Sequence, residues 1–259
     1  MDGFAAFEAA GWERRAAGYG TLIARITDRV AGRLADALGA GRILDAGCGH
    51  GNAAGLLAAR GAAVVGVDVS TAMIGIAAAA HPGLPFVVAS ADRLPFRRGS
   101  FDAVFANFLL PHLAVPERAV AEFRRVLTPT GRLVLTTWDL PVRTRLVGVL
   151  MDALAEAGAP ARPDLPDGPP FFRYADPAAV RELLGPAATV GRISFDHQVD
   201  GAEQWWTGLL DGTVRTSALI AGQSPADRRR IREVFGRLAG DHVQDGRMMI
   251  PVSVCVLTA

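Results

Sequence analysis

With 259 residues, half of them hydrophobic, the chain has enough apolar surface for a sizeable core, which excludes a disordered segment or a small disulfide-built scaffold. A formal net charge of +1 gives no electrostatic reason to expect nucleic acid or an anionic membrane as partner. Every basic residue is arginine, which rules out Schiff-base chemistry and lysine general bases, and two cysteines, Cys48 and Cys255, are too few for a disulfide framework or a cysteine zinc site.

The N-terminus lacks a basic segment followed by an apolar core, and no apolar run approaches membrane-spanning length, so a soluble cytoplasmic protein is expected. Residues 4–38 read as helical, with Leu22, Ile23, Ile26, Val30, Leu34 and Leu38 at three- and four-residue steps before Gly39 and Gly41 close the segment. A first strand starts at Ile43 and runs into three glycines at alternate positions, Gly47, Gly49 and Gly51, followed by a helix over 53–60. Strand, glycine turn and helix leave free backbone N–H groups at a helix N-terminus, where a ligand can approach without meeting a Cβ. Cys48, inside that turn, reads as a small packing residue.

Val64 to Asp68 is a second buried strand, and Asp68 lies 19 residues after Gly49, the spacing at which nucleoside-binding α/β folds place an acid on ribose hydroxyls. Ser70 starts a helix that ends near His81-Pro82. Phe86 to Ser90 is a third strand, 91–96 a loop, and Phe101 to Phe108 a fourth strand. A helix from Pro116 to Leu127 turns through 128–131 into a fifth strand, Arg132 to Trp138. Residues 141–158 read as helical, and the proline-rich stretch 159–177 reads as an ordered loop or lid. A short helix over 177–184, a strand over 189–199, helices over 201–220 and from Ser224, and a final strand from Ile250 to Leu257 complete the chain. Arg228-Arg229-Arg230 reads as a solvated face. The alternation predicts a doubly wound parallel sheet.

The dinucleotide fingerprint fails, because Gly-x-Gly-x-x-Gly from Gly47 would need glycine where Asn52 stands. The motif that does stand, Asp-x-Gly-x-Gly-x-Gly from Asp45, resembles that of the class I S-adenosylmethionine-dependent methyltransferases, in particular the ubiquinone/menaquinone-type and natural-product tailoring group. The recognisable motifs cover residues 12–140. The resemblance implies an α/β, Rossmann-like, doubly wound seven-stranded sheet of order 3-2-1-4-5-7-6, with the last strand antiparallel and a helical cap. It also implies one methyltransferase domain over 1–259, divided into an N-terminal helical cap (1–38), a cofactor-binding core (39–140), cap and acceptor elements with the sixth strand (141–247), and the final strand (248–259).

Carried over position by position, the resemblance implies that S-adenosylmethionine is the cofactor. Gly47, Gly49 and Gly51 pass under its methionine half, Asp45 meets its amino group, and Asp68 accepts from the ribose hydroxyls. Val69 and Met73 pack on the adenine, with Ser90, Ala91 and Asp92 in the adenine loop, where Ser90 replaces the family's usual acid. His50 replaces a commoner threonine or serine. Asn107 faces the methionine portion, and Tyr19 closes over it. For a general base, His112 comes first and Asp139, at the carboxyl end of the fifth strand, second; His197 and His242 rank below them. No metal site is readable.

Trp12, Trp138, Phe171, Phe172, Tyr174, Trp205 and Trp206 sit in or beside the expected acceptor segments and favour a flat, apolar small-molecule acceptor. The expected reaction is methyl transfer to an aromatic or polyketide-like acceptor, at oxygen. The alternatives are a protein of the same fold that binds the cofactor but catalyses a step such as cyclisation, or a cofactor-binding regulatory module. The acceptor's identity and the oligomeric state carry no signature.

Overall fold

β1 (Arg42–Ala46) buries four of its five residues, because strands flank it on both edges and helices cover both faces. The computed structural model describes residues 3–160 and 165–259. Parallel neighbours of β1 are β2 (Ala63–Asp68) and β4 (Phe101–Ala106), and Asp45 lies level with Gly66 on one side and Phe105 on the other. β3 (Phe86–Val88) extends the sheet beyond β2, and β5 (Leu127–Trp138) extends it beyond β4. β6 (Thr189–Val199) does not pair with β5. A two-residue β7 (Val243–Gln244) leads into β8 (Arg247–Thr258), which inserts between β5 and β6 antiparallel to both. The order β3-β2-β1-β4-β5-β8-β6 is the expected 3-2-1-4-5-7-6, with the short β7 added as a hairpin on the last long strand.

The sheet's alternation sorts its residues into two cores. Ile43, Val64, Phe105, Val134, Trp138 and Val254 face one helical layer. That layer comprises α2 (Ile23–Leu38), α3 (Asn52–Ala58) and α6 (Arg145–Glu156), with α8 (Ala202–Gly212) and α10 (Pro225–Gly240). Leu44, Val67, Val104, Leu135 and Cys255 face the other layer, which includes α5 (Pro116–Val126) and α7 (Pro177–Leu184). Ile43 and Leu44 therefore point to opposite cores, and Asp45 points toward the α2–α3 side.

Three boundaries differ from expectation. The helical segment 4–38 is two helices, α1 (Gly3–Tyr19) and α2, and the Thr21 hydroxyl donates to the Gly18 carbonyl at the break. The single helix expected over 201–220 splits into α8 and α9 (Arg215–Ala221). Thr213 is extended there, and its hydroxyl donates to the Leu209 carbonyl at 2.6 Å, which satisfies a last-turn acceptor. Residues 128–131, expected as a turn, belong to β5, which already pairs with Phe101 at Leu127 before a register shift. Of the proline-rich stretch 159–177, residues 161–164 lie outside the described residues.

The aromatic residues expected at the acceptor divide. Trp205 is fully buried, donates Nε1–H to the Leu146 carbonyl and packs edge-on against Phe235; Trp206 also packs on Phe235. Trp138 packs on Phe108, and Tyr174 lies in the second core. These four are core residues because each sits on an inward-facing stripe. No helix among the described residues is long and apolar enough to cross a membrane.

Gly51 is the tightest point of the β1–α3 turn. Its φ is +76°, and an added Cβ would meet Phe86 and Ala77 at under 3 Å. Gly51→Ala is expected to lower stability by about 2–4 kcal/mol, combining left-handed strain with overpacking, as read from the urea midpoint at unchanged m-value.

Candidate active site

At the carboxyl end of β1 the chain turns through Gly47, Gly49 and Gly51, all with positive φ, and the backbone folds back so that Gly47 and Cys48 donate to the Val67 carbonyl. This places Asp45 at the floor of a small cavity walled by Tyr19, Thr27, Asp28, His50, Asn52 and Asn107. Asp45 is fully buried, and neither carboxylate oxygen has a hydrogen-bond partner among the described residues. Burial, with the neighbouring Asp68 and Asp28 charges, pushes its pKa up to about 7, and the Ala54 N–H dipole offsets only part of this. Asp28, from α2, receives one hydrogen bond from Asn52 at 2.8 Å, and its pKa is also raised, chiefly by burial. A buried and a half-buried acid thus line the same space, and no arginine among the described residues bonds to either.

Asp68, at the end of β2, accepts the Gly49 N–H at 3.0 Å and the Ser70 N–H at 2.9 Å, one on each oxygen. Burial still raises its pKa, against those N–H groups and the nearby His112. Each oxygen retains a second lone pair for a further donor. Val69 is exposed, Met73 is buried, and Ala91 is buried between exposed Ser90 and Asp92. Ser70 caps α4 (Thr71–Ala80) by accepting from Met73 N–H.

α1 closes the cleft from above. Glu13 accepts from the Ser70 hydroxyl at 2.6 Å and from the Ala72 N–H at 3.1 Å, and the Tyr19 hydroxyl lies 3.0 Å from the Thr27 hydroxyl. Burial and the nearby Asp28, Asp68 and Asp45 carboxylates push the Tyr19 phenol above its ordinary pKa, so it stays protonated. His50 Nε2–H donates to the Ala16 carbonyl at 2.7 Å, and its ring meets Tyr19 edge-on. The cavity left is about 20 Å³, room for a single water. Asn107 holds α2 to the sheet, donating to the Thr27 carbonyl at 3.0 Å and accepting from the Thr136 hydroxyl at 2.7 Å.

His112 lies on a 3₁₀ turn after β4 and brings α1 and the later cap together. Its Nδ1 is 3.0 Å from Glu8, and Arg215 Nε donates to the same carboxylate at 2.8 Å. The edges of Trp12 and Phe171 meet the imidazole, and Phe172 meets Phe171 edge-on. Three of the aromatics expected at the acceptor thus gather at His112.

The second candidate base is a correction. Asp139 continues the side of Leu133 and Leu135, away from the Asp45 cavity, and is bound by Arg143, Arg192, Ser253 and its own Leu140 N–H. Burial would raise its pKa, but these donors hold it far below the usual carboxylate range, which makes it a poor proton acceptor. His197 sits on β6, and His242 packs on Trp205, both away from the cavity. Cys48 is buried, and burial with Asp45 and Asp68 pushes its thiol well up, as suits a packing residue. Among the described residues no cluster of three or more His, Cys, Asp or Glu is placed to hold a metal.

Residues 44–135 match the family model described as a methyltransferase domain. This segment is a methyltransferase domain. Over 109 residues the chain is 41% identical to a demethylmenaquinone methyltransferase of Beutenbergia cavernae, a match covering 41% of this chain and 45% of that protein. Over 151 residues it is 32% identical to the demethylmenaquinone methyltransferase of Streptomyces griseus, covering 58% of this chain and 66% of the relative. The chain thus spans about half to two thirds of the length of these relatives. In fold, the methyltransferase domain and its cap resemble a proposed methyltransferase from an antibiotic biosynthesis pathway of Anabaena variabilis, with TM-score 0.59 at 21% identity, covering 89% of this chain and 96% of that one.

Glu8, Thr27, Asp28, Asn52 and Arg215 complete the site and were not anticipated from the sequence. The unpartnered Asp45 has a measurable consequence. Its folded pKa, near 7, exceeds the ordinary 3.8, so the native state binds more protons than the unfolded chain between those values, and stability falls as pH rises through that window. Asp45→Asn removes this term. The variant's stability relative to wild type is expected to improve by up to about 4 kcal/mol between about pH 4 and pH 7, measured by urea unfolding of the ligand-free protein.

Proposed function

We propose that this protein transfers the methyl group of S-adenosylmethionine to a small, largely apolar aromatic acceptor, at a hydroxyl oxygen. The observation that carries the reading is the pair Asp45 and Asp28: a buried and a half-buried carboxylate lining one cavity at the carboxyl end of the central strand, neither bonded by an arginine among the described residues. Burial makes such a pair unfavourable until a cation enters, and an ammonium group next to a sulfonium supplies that charge.

In this reading Asp45 and Asp28 hold the cofactor's amino end, and Gly47 and Gly49 leave room for its chain. Asp68 takes the ribose hydroxyls with its spare lone pairs. Val69, Met73 and Ala91 cover the adenine, Ser90 and Asp92 accept from its amino group, and Tyr19 closes over the methionine portion beside Asn107. When bound, the cofactor supplies an already activated methyl group. What remains for the protein is alignment of the acceptor, exclusion of water and removal of a proton; alignment alone can contribute ~7–11 kcal/mol.

The acceptor space lies where Trp12 and Phe171 flank His112. The relatives named for demethylmenaquinone support a flat, quinone-like acceptor, and these ring edges suit one. Neither nucleic acid nor membrane is a partner in this reading, and a cytoplasmic location goes with it.

Two measurements test this. Calorimetry with S-adenosylhomocysteine should show binding, and Asp68→Ala should weaken it by about 1.5–3 kcal/mol, the worth of hydrogen bonds to a charged group; unchanged affinity would remove Asp68 from the ribose. Incubation with methyl-labelled cofactor and a panel of phenols and quinols should place label on an acceptor. An acceptor that turns over with no label moved would contradict methyl transfer.

A further inference from the structure

We propose that Glu8 is the positioning residue for His112, holding its imidazole as the Nδ1–H tautomer with Nε2 directed at a neutral hydroxyl of the acceptor. This rests on the methyl-transfer reading and narrows its acceptor to one that must lose a proton during the step.

Glu8 is 3% exposed in the middle of α1, where an ionised carboxylate is costly unless paired and hydrogen-bonded. It has two partners, one for each oxygen: Arg215 Nε–H on one and His112 Nδ1 on the other. Burial would raise its pKa, but His112 and Arg215 together bring it below the ordinary value, so the carboxylate is ionised and can only accept. The proton in the contact therefore sits on Nδ1. Arg215 is fixed in turn, donating to the Pro169 carbonyl at 3.0 Å and to the Pro111 carbonyl, the residue before His112. Its guanidinium also lies over the Phe4 and Phe171 rings.

Arg215 already neutralises Glu8, so the imidazole is not required for charge balance. What the third member gains is a fixed tautomer and ring plane. Among the described residues Nε2 has no hydrogen-bond partner, the ring is 17% exposed, and the Trp12 and Phe171 edges lie 5.0 and 6.0 Å from it between centroids.

A fixed proton acceptor suits some acceptors and not others. An amine can shed its proton to water after the transfer, whereas a neutral hydroxyl needs a base while the bond forms. As a lone pair of the acceptor oxygen forms the bond to the methyl carbon, the methyl–sulfur pair stays on sulfur and the O–H proton passes to Nε2. Glu8 then balances the imidazolium, which later releases the proton to water. No oxidant or reductant takes part.

Nitrogen-15 spectra of the imidazole rings at neutral pH test this without turnover. The chain has five histidines, and His112→Asn assigns the one concerned. Wild type should show a protonated Nδ1 and a bare Nε2 at His112, and Glu8→Gln should shift the ring toward a mixture or toward Nε2–H. The same variant should lose about 10²-fold in kcat on a hydroxyl acceptor, with affinity for S-adenosylhomocysteine unchanged. An Nε2–H tautomer in wild type would overturn the proposal even if Glu8→Gln failed to fold, as would Glu8→Gln with both tautomer and kcat unaltered. Failure of S-adenosylhomocysteine to bind wild type would strike the methyl-transfer reading instead, leaving the tautomer result to stand on its own.

Discussion

The site depends on a carboxylate that the fold buries and leaves unanswered. Asp45 is held at the end of the central strand by parallel neighbours on both sides, without a hydrogen bond from any arginine among the described residues, and Asp28 is added across the cavity from α2. A protein interior tolerates such a group only by protonating it or by admitting a cation, and a pKa near 7 puts both options within reach at neutral pH. Asp139 shows the opposite arrangement on the same sheet: equally buried, it is bound by two arginines and a serine and is inert. One acid is a structural ion pair, and the other is a vacancy for charge.

α1 links that vacancy to the acceptor side. Its tethers are polar: Glu13 on the start of α4, His50 on the Ala16 carbonyl, and Glu8 on His112 and Arg215. α1 also packs closely through Gly11 on Val214 and through Gly18 on Asp211 of α8, and an aromatic row runs His50, Tyr19, Trp12, His112, Phe171. Hydrogen bonds of this kind contribute about 0.5–1.5 kcal/mol each, rising to about 1.5–3 kcal/mol where a carboxylate takes part.

Much of the fold was legible because strand and helix periods alternate cleanly from Ile43 to Trp138, and because a glycine turn followed by an acid at the next strand end has few other meanings. The order of the strands followed from the resemblance and not from pattern, since nothing local in residues 247–258 says that they insert antiparallel. Asp45, Asp68 and His112 could be singled out because each closes a strand or follows one. Asp139 satisfied the same criterion and was misread, because its arginine partners come from 143 and from 192, a residue far along the chain. Trp205 and Trp206 were equally ambiguous: an aromatic on a helical stripe looks the same whether it lines a pocket or fills a core.

Asp28 left no trace, lying off the apolar stripe of α2 among four other charged residues, Arg25, Arg29, Arg33 and Asp36. Glu8 did leave one. With Phe4 and Gly11 it occupies an i, i+4, i+7 row of buried positions on α1, where an apolar residue would be expected. An acid on a buried stripe implies a buried partner, but only the folded chain brings Arg215 to it across more than two hundred residues.

The most direct measurement of the central claim is the proton balance of cofactor binding. S-Adenosylmethionine would be titrated calorimetrically at pH 7 in buffers of differing ionisation enthalpy, with wild type and Asp45→Asn. If a cation is what the buried acid lacks, binding ionises Asp45 and wild type releases about half a proton, as its pKa near 7 requires, while the variant releases none. Tight binding with no difference in proton release between the two proteins would contradict the account.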